Sequence, residues 1–274
     1  VGLQASYSIL GLIESKRKQF APAKKYFLRS LELAKRHPVP DIATRTLINL
    51  GAIALELSEF KEAISYYSKA LGLAKEFTLP VEAEIATKGL GLAYHRSGDN
   101  KKAITFFKAN IVLAEQLHLE FDRAMSMHDL GTLYALTGQF DVAQNHYRRA
   151  VAQFTAIQQW DWVVKTTAEQ AGLYFNQKEY DTAEQLLLSV TRNLKGKGQA
   201  ANAIVLYDSL ITGSLNAHRG EKAWQYFQAL SGNLSPKKIS SKAVNYGALS
   251  LARNLFGEAA RFYANSIPIY RRIG

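Results

Sequence analysis

Few side chains in this sequence have the types and spacing that chemistry requires. The six histidines stand apart. No His-x-x-x-His pair would set two imidazoles on one helix face for a metal. Cysteine is absent, which removes disulfides, thiolate metal sites and a cysteine nucleophile but leaves the compartment undecided. Lys88, His128 and Asp129 carry the groups of an acid–base set. The elements described below would place them on an open wall, where water keeps pKa values ordinary. Gly89-Leu-Gly91 falls within a helical pattern and reads as packing. Asn193-Leu-Lys-Gly-Lys-Gly-Gln199 lacks a following phosphate-cradling helix motif and reads as a basic turn. Asn233-Leu-Ser235 matches a glycosylation acceptor. We expect no enzyme activity, no cofactor and no metal.

The elements that would position these groups are set by a repeat. Ala23, Ala63, Ala103, Ala143, Ala183 and Ala223 recur at every fortieth position, and Ala259 falls four places short of the next. A fixed period of this size marks a solenoid, whose units bury their apolar faces by stacking on neighbours. In the second unit, Thr44–Leu57 and Phe60–Ala74 each carry apolar residues at helical spacing, and the short Ser58-Glu59 link makes the two helices antiparallel. Twelve positions before the aligned alanine stands Gly11, Gly51, Gly91, Gly131 or Gly247, preceded in four of these units by Leu10, Leu50, Leu90 or Leu130. Three positions before it comes Phe20, Phe60, Phe140, Tyr180 or Phe256. Four positions after it comes Phe27, Tyr67, Phe107, Tyr147, Leu187, Phe227 or Tyr263. A glycine inside a helix costs about 1 kcal/mol against alanine, so its return at one position points to close helix approach, with the aromatics filling the wedge between hairpins.

This order of small residue, aromatic, alanine and aromatic resembles the tetratricopeptide repeat family over nearly the whole chain. The resemblance implies an all-α, right-handed superhelical solenoid of about seven antiparallel helix pairs. The pairs fall at about 3–38, 43–78, 83–118, 123–158, 163–195, 202–232 and 239–272 in a single array over 1–274. The usual unit of the family is about 34 residues long, and this one is longer by six. The extra positions follow the second helix core, around Ala34-Lys35-Arg36-His37 and Ala74-Lys75-Glu76-Phe77, and should lengthen that helix. Such long units are similar to those of peptide-binding regulators, kinesin light chains and polarity adaptors. Pro268 should end or kink the last helix. Trp160 and Trp162, in the link after the fourth repeat, should staple one repeat to the next.

In that family the first helix of each pair lines the concave groove. The resemblance therefore implies a partner surface of Arg45, Asn49, Glu56, Lys88, Arg96, His128, Asp129, Thr132, Asn176, Asp208, Asn216 and Asn245. Asn49 and Asn245 fall where long-repeat relatives grip an extended peptide backbone, since an amide donates and accepts at once. The equivalent positions elsewhere hold Ile9, Gly89, Asp129, Glu169 and Ser209, so a full asparagine ladder is missing. The charges run from basic (Arg45, Lys88, Arg96) to acidic (Asp129, Glu169, Asp208), which would orient a partner of matching polarity.

The formal charge is +11, but it sits at the ends. Residues 1–40 carry +6 and 241–274 carry +4, while the three blocks from 81 to 200 are each balanced. A continuous basic stripe for phosphate tracking is missing, so nucleic acid is not the expected partner. No apolar run of about 18 residues would span a membrane. The chain opens at Val1 and closes on Ile273-Gly274, and we expect a segment of a longer, cytoplasmic protein. The function expected is a non-catalytic scaffold or regulatory domain that binds protein or peptide, with self-association open. A second expectation is a sensor closing round a small molecule or pheromone peptide for a signalling or transcription regulator. Binding of nucleic acid through the basic ends is a third.

Overall fold

The computed structural model describes residues 2–35, 39–232 and 234–273. They form fourteen helices and, among the described residues, no strand. The helices are α1 Gly2–Lys16, α2 Phe20–Ala34, α3 Pro40–Glu56, α4 Phe60–Glu76, α5 Pro80–Arg96, α6 Asn100–Gln116 and α7 Glu120–Leu136. There follow α8 Phe140–Ala156, α9 Trp160–Asn176, α10 Tyr180–Gly196, α11 Ala200–Asn216, α12 Gly220–Ser231, α13 Pro236–Ala252 and α14 Phe256–Ile273. The chain divides into two compact units, Val1–His146 and Tyr147–Gly274, and the division falls within α8.

In the second pair the period resolves into two helices of 17 residues each, with a three-residue turn after each. The added length is therefore shared by both helices. The run read from Thr44 begins at Pro40, because proline suits the first helical position: its fixed φ is helical and its missing N–H is not needed there. Pro80 and Pro236 start α5 and α13 in the same way. The second helix continues through Lys75 and Glu76 as the extra positions suggest. Arg36 and His37 lie outside the described residues.

Each three-residue turn ends one helix and starts the next. After α3, the Glu59 N–H donates to the Ala54 carbonyl at 2.8 Å and the Ser58 N–H to that of Leu55 at 3.1 Å. This is the Schellman closure, which requires a left-handed residue at its centre. Gly98, Gly138 and Gly198 supply it without strain, whereas Ser58, Thr78, His118 and others hold φ between 54° and 63°. Asn193–Gly196 stay helical as the end of α10, so the basic turn shrinks to Lys197-Gly198-Gln199.

The repeat grammar acquires a packing meaning. All seven aligned alanines are at most 1% exposed. Tyr67 lies with one edge of its ring on Gly51 of its own hairpin, where an added methyl would meet the ring at 2.8 Å, and with the opposite edge on Gly89 of the next hairpin. Phe27 on Gly11 and Phe107 on Gly91 repeat the first contact. The aromatics three positions before the alanine do less. Phe140 and Phe256 are 38% and 66% exposed, because they open the second helix at the hairpin tip rather than at its core.

Within the first unit, α1 touches α3 and α3 touches α5, so the first helices run side by side. Asn110 of α6 donates to the Glu84 backbone carbonyl at 2.9 Å and to its carboxylate at 2.8 Å, and accepts from the Ser126 hydroxyl of α7 at 2.7 Å. All three residues are buried, and burial raises the Glu84 pKa against the opposing effects of Asn110 and Lys88. In the second unit, Trp162 stacks on Phe154 of the preceding helix at 5.6 Å and so staples the fifth repeat to the fourth, while Trp160 packs on the core of its own and the following repeat. α14 runs through Pro268 rather than ending there. One helical hydrogen bond is lost, to the carbonyl of the exposed Ala264.

Candidate functional site

The stripe left open on the first helices of the first unit is made by Arg45, Asn49, Ala52 and Glu56, with helical spacing on α3. The basic side chains of α3 and α5 are tied between helices. Arg45 donates to Glu82 of α5 at 2.9 Å and pairs with Asp41 at 3.0 Å, and the bond to Glu82 raises its pKa. Lys88 pairs with Asp122 of α7. Arg96 reaches back to the Leu55 carbonyl at 3.4 Å. Asn49 is half-buried and Glu56 exposed, at the end of α3. The basic side chains expected to steer a partner are therefore engaged by carboxylates or backbone of adjoining first helices. Sequence reading overlooks Glu82 and Asp122, although basic–acidic pairs at i, i+37 and i, i+34 are there to be found.

His128 departs from expectation. It is 5% exposed, with Nδ1 3.3 Å from the Asp129 carboxylate. An open wall does not describe it: two repeats earlier the same position is Ile48, 8% exposed, at the margin where first helices pack. Asp129 and Thr132 are half-buried beside it, and the Thr132 hydroxyl donates to the His128 carbonyl at 3.3 Å. Lys88, His128 and Asp129 do not form a reactive cluster. Among the described residues no three histidine, aspartate or glutamate side chains gather to hold a metal, and no helix is long and apolar enough to cross a membrane.

In the second unit, Asp208 of α11 accepts from Lys242 at 2.6 Å and from the Tyr246 hydroxyl, both on α13. Burial, and then the bond to Asp208, push the Tyr246 pKa up. Asn245 is exposed on α13. Asn176 and Asn216, one repeat apart at the ends of α9 and α11, meet in a hollow of about 310 Å³ with Thr212. Its floor is Ala168, Gly172 and Gly213, and its walls include Phe175 and Tyr180. The glycine has moved from position 211 to 213, and the Phe175 ring lies against it. Asn216 accepts from Arg253 at 3.0 Å and keeps its amide donors. The Asn176 amide is exposed and makes no hydrogen bond among the described residues. The floor and the two rings escape sequence reading, although the departure at Ile211 marks the place.

Comparison with solved structures gives the fold. The apo form of RapI matches with a TM-score of 0.67 at 14% identity, covering 98% of each chain. A Rap protein complexed with Competence and Sporulation Factor matches with a TM-score of 0.59 at 16% identity, over 97% of this chain and 74% of that one. A signal transduction ATPase with a tetratricopeptide repeat sensor from Pyrococcus horikoshii matches with a TM-score of 0.71 at 15% identity, over 92% of this chain and 38% of that one. Among curated proteins none matches the sequence. The sequence profile described as tetratricopeptide repeat matches residues 3–76 and 82–156. With more than half of its length so matched, and with helix pairs throughout, this chain belongs to the tetratricopeptide repeat family.

Proposed function

We propose that the chain is a recognition module that binds an extended peptide across the first helices of its second unit, as the regulatory portion of a signalling protein. The observation that carries this reading is the hollow holding Asn176, Thr212 and Asn216 over a floor of alanine and glycine. A peptide unit presents one donor and one acceptor, and two amides one repeat apart can answer both. The small floor lets a backbone approach, and Phe175 and Tyr180 offer an apolar wall to one side chain. The solved relative complexed with Competence and Sporulation Factor and the relative with a repeat sensor lend support, since both carry this fold. The compensated charges of Arg45, Lys88 and Asp208 favour recognition through amides over steering by groove charge.

The test is selection from a random peptide display library, followed by fluorescence anisotropy on the enriched peptides. The double substitution Asn176→Ala/Asn216→Ala should weaken binding at least about tenfold, roughly 1.4 kcal/mol. Peptides N-methylated at the contacted units should weaken similarly. Failure to enrich any peptide, or equal affinity for the double variant, would overturn the proposal.

A further inference from the structure

A second cavity lies away from the first-helix stripe, between the second helices α8 and α10 with α9 beneath, wholly inside the second unit. In the third and fourth repeats the corresponding positions hold a pair of rings twelve positions apart. Tyr94 stacks on Phe106 at 5.4 Å, and Tyr134 on His146 at 5.4 Å. One repeat further on, the ring Tyr174 faces Leu186. The floor changes as well. Leu90, Leu130 and Leu210 are each at most 1% exposed, yet the position between them is Gln170, an amide only 3% exposed. Loss of the second ring leaves an open cleft of about 730 Å³, lined by Gln170, Tyr174 and Leu186, with Arg148 and Arg192 contributed by the helices on its two sides.

The two arginines are available. Neither forms an ion pair among the described residues. The carboxylates of α10 are engaged elsewhere: Asp181 is 2.9 Å and Glu184 3.0 Å from Arg219 of the next repeat. Two exposed guanidiniums stand beside an aromatic face and a buried amide in the lining of this cleft. Guanidinium forks match the oxygens of a phosphate. A planar ring would lie between Tyr174 and Leu186. The size falls within the range of small-ligand sites, about 300–1,000 Å³.

We infer that this cleft binds a small heteroaromatic phosphate of the nucleoside monophosphate class, as a site separate from the peptide hollow. The experiment is isothermal titration calorimetry of the whole chain with adenosine, guanosine, cytidine and uridine monophosphates, phenyl phosphate and inorganic phosphate. Saturable one-to-one binding of at least one nucleoside monophosphate is expected, about tenfold or more tighter than inorganic phosphate. Arg148→Gln/Arg192→Gln should lose it. Leu186→Phe, which rebuilds the ring pair found in the first unit and so should fold, should lose it too. Asn176→Ala/Asn216→Ala should leave it unchanged, which separates this result from that of the peptide reading. No binding by any nucleotide, inorganic phosphate bound as tightly as the nucleotides, or full binding by Leu186→Phe would each overturn the assignment.

Discussion

Replacing Gly51 and Gly72 by alanine makes one chemical change in one helical hairpin and should give opposite results. Gly72 lies in α4 with nothing within 4 Å of an added methyl. Gly72→Ala should therefore gain the helix-propensity difference, about 0.8–1 kcal/mol. A methyl on Gly51 would stand 2.8 Å from the Tyr67 ring, where carbon atoms prefer about 3.5–4.0 Å. The ring has little room to retreat, because its opposite edge already meets Gly89. Overpacking of this kind costs about 1–3 kcal/mol, which outweighs the propensity gain of about 1 kcal/mol. Gly51→Ala should be destabilising by up to about 2 kcal/mol, and the two variants should differ by about 1–3 kcal/mol. Because a repeat array can unfold in parts, the suitable assay is native-state hydrogen exchange on the α3 and α4 amides, with urea melts alongside. If Gly51→Ala slows exchange as much as Gly72→Ala, the glycine is not there for close approach and the packing argument fails.

Three further outcomes follow from the geometry. Thr78 holds φ 54°, where a β-branched residue is strained by about 1–2 kcal/mol, so Thr78→Gly should raise the melting midpoint despite the added freedom of the unfolded chain, for a net gain of about 0.5–1 kcal/mol. Glu84 has a raised folded pKa, so the folded state binds its proton more tightly than the unfolded state, and stability falls as pH climbs above the unfolded value of about 4.3. Glu84→Gln should accordingly stabilise at pH 7 and lose that advantage near pH 3.5, as melts at the two pH values would reveal. Amides of α12 and α13 should exchange faster than those of α4 to α6, since α12 has only 12 residues; uniform protection would contradict this.

Much of the fold is legible because identical demands recur. Gly51 meets Tyr67 as Gly11 meets Phe27 and Gly91 meets Phe107, so one contact appears in the sequence several times over. What repeats weakly is harder to read. The start of α3 at Pro40 is hidden because Pro40-Asp41 looks like a link until proline is placed at a first helical position. His128 reads as part of the stripe because it adjoins Asp129, yet a step of one residue turns it toward the packed margin that Ile48 marks. The pairs Arg45–Glu82, Lys88–Asp122 and Asp208–Lys242 join consecutive first helices, and their meaning depends on which faces of those helices meet. The hollow at Asn176 and Asn216 is half visible: both asparagines stand out in the sequence, while Phe175 and Gly213 need the ring's actual position.

The three-residue turns carry a consequence for ancestry. Every turn stops one helix and launches the next in the same small span, so a break in one turn rejoined at the matching turn of the next repeat returns each ring to its glycine. A slip of one residue inside a helix would instead rotate everything after it by about 100° and turn the alanines out to water. Unequal recombination between turns can thus add or drop whole pairs while errors within helices are purged. The shorter step from Ala223 to Ala259 coincides with a shortened α12 and still leaves Ala259 buried. Turns are the joints at which such a gene can be cut and respliced.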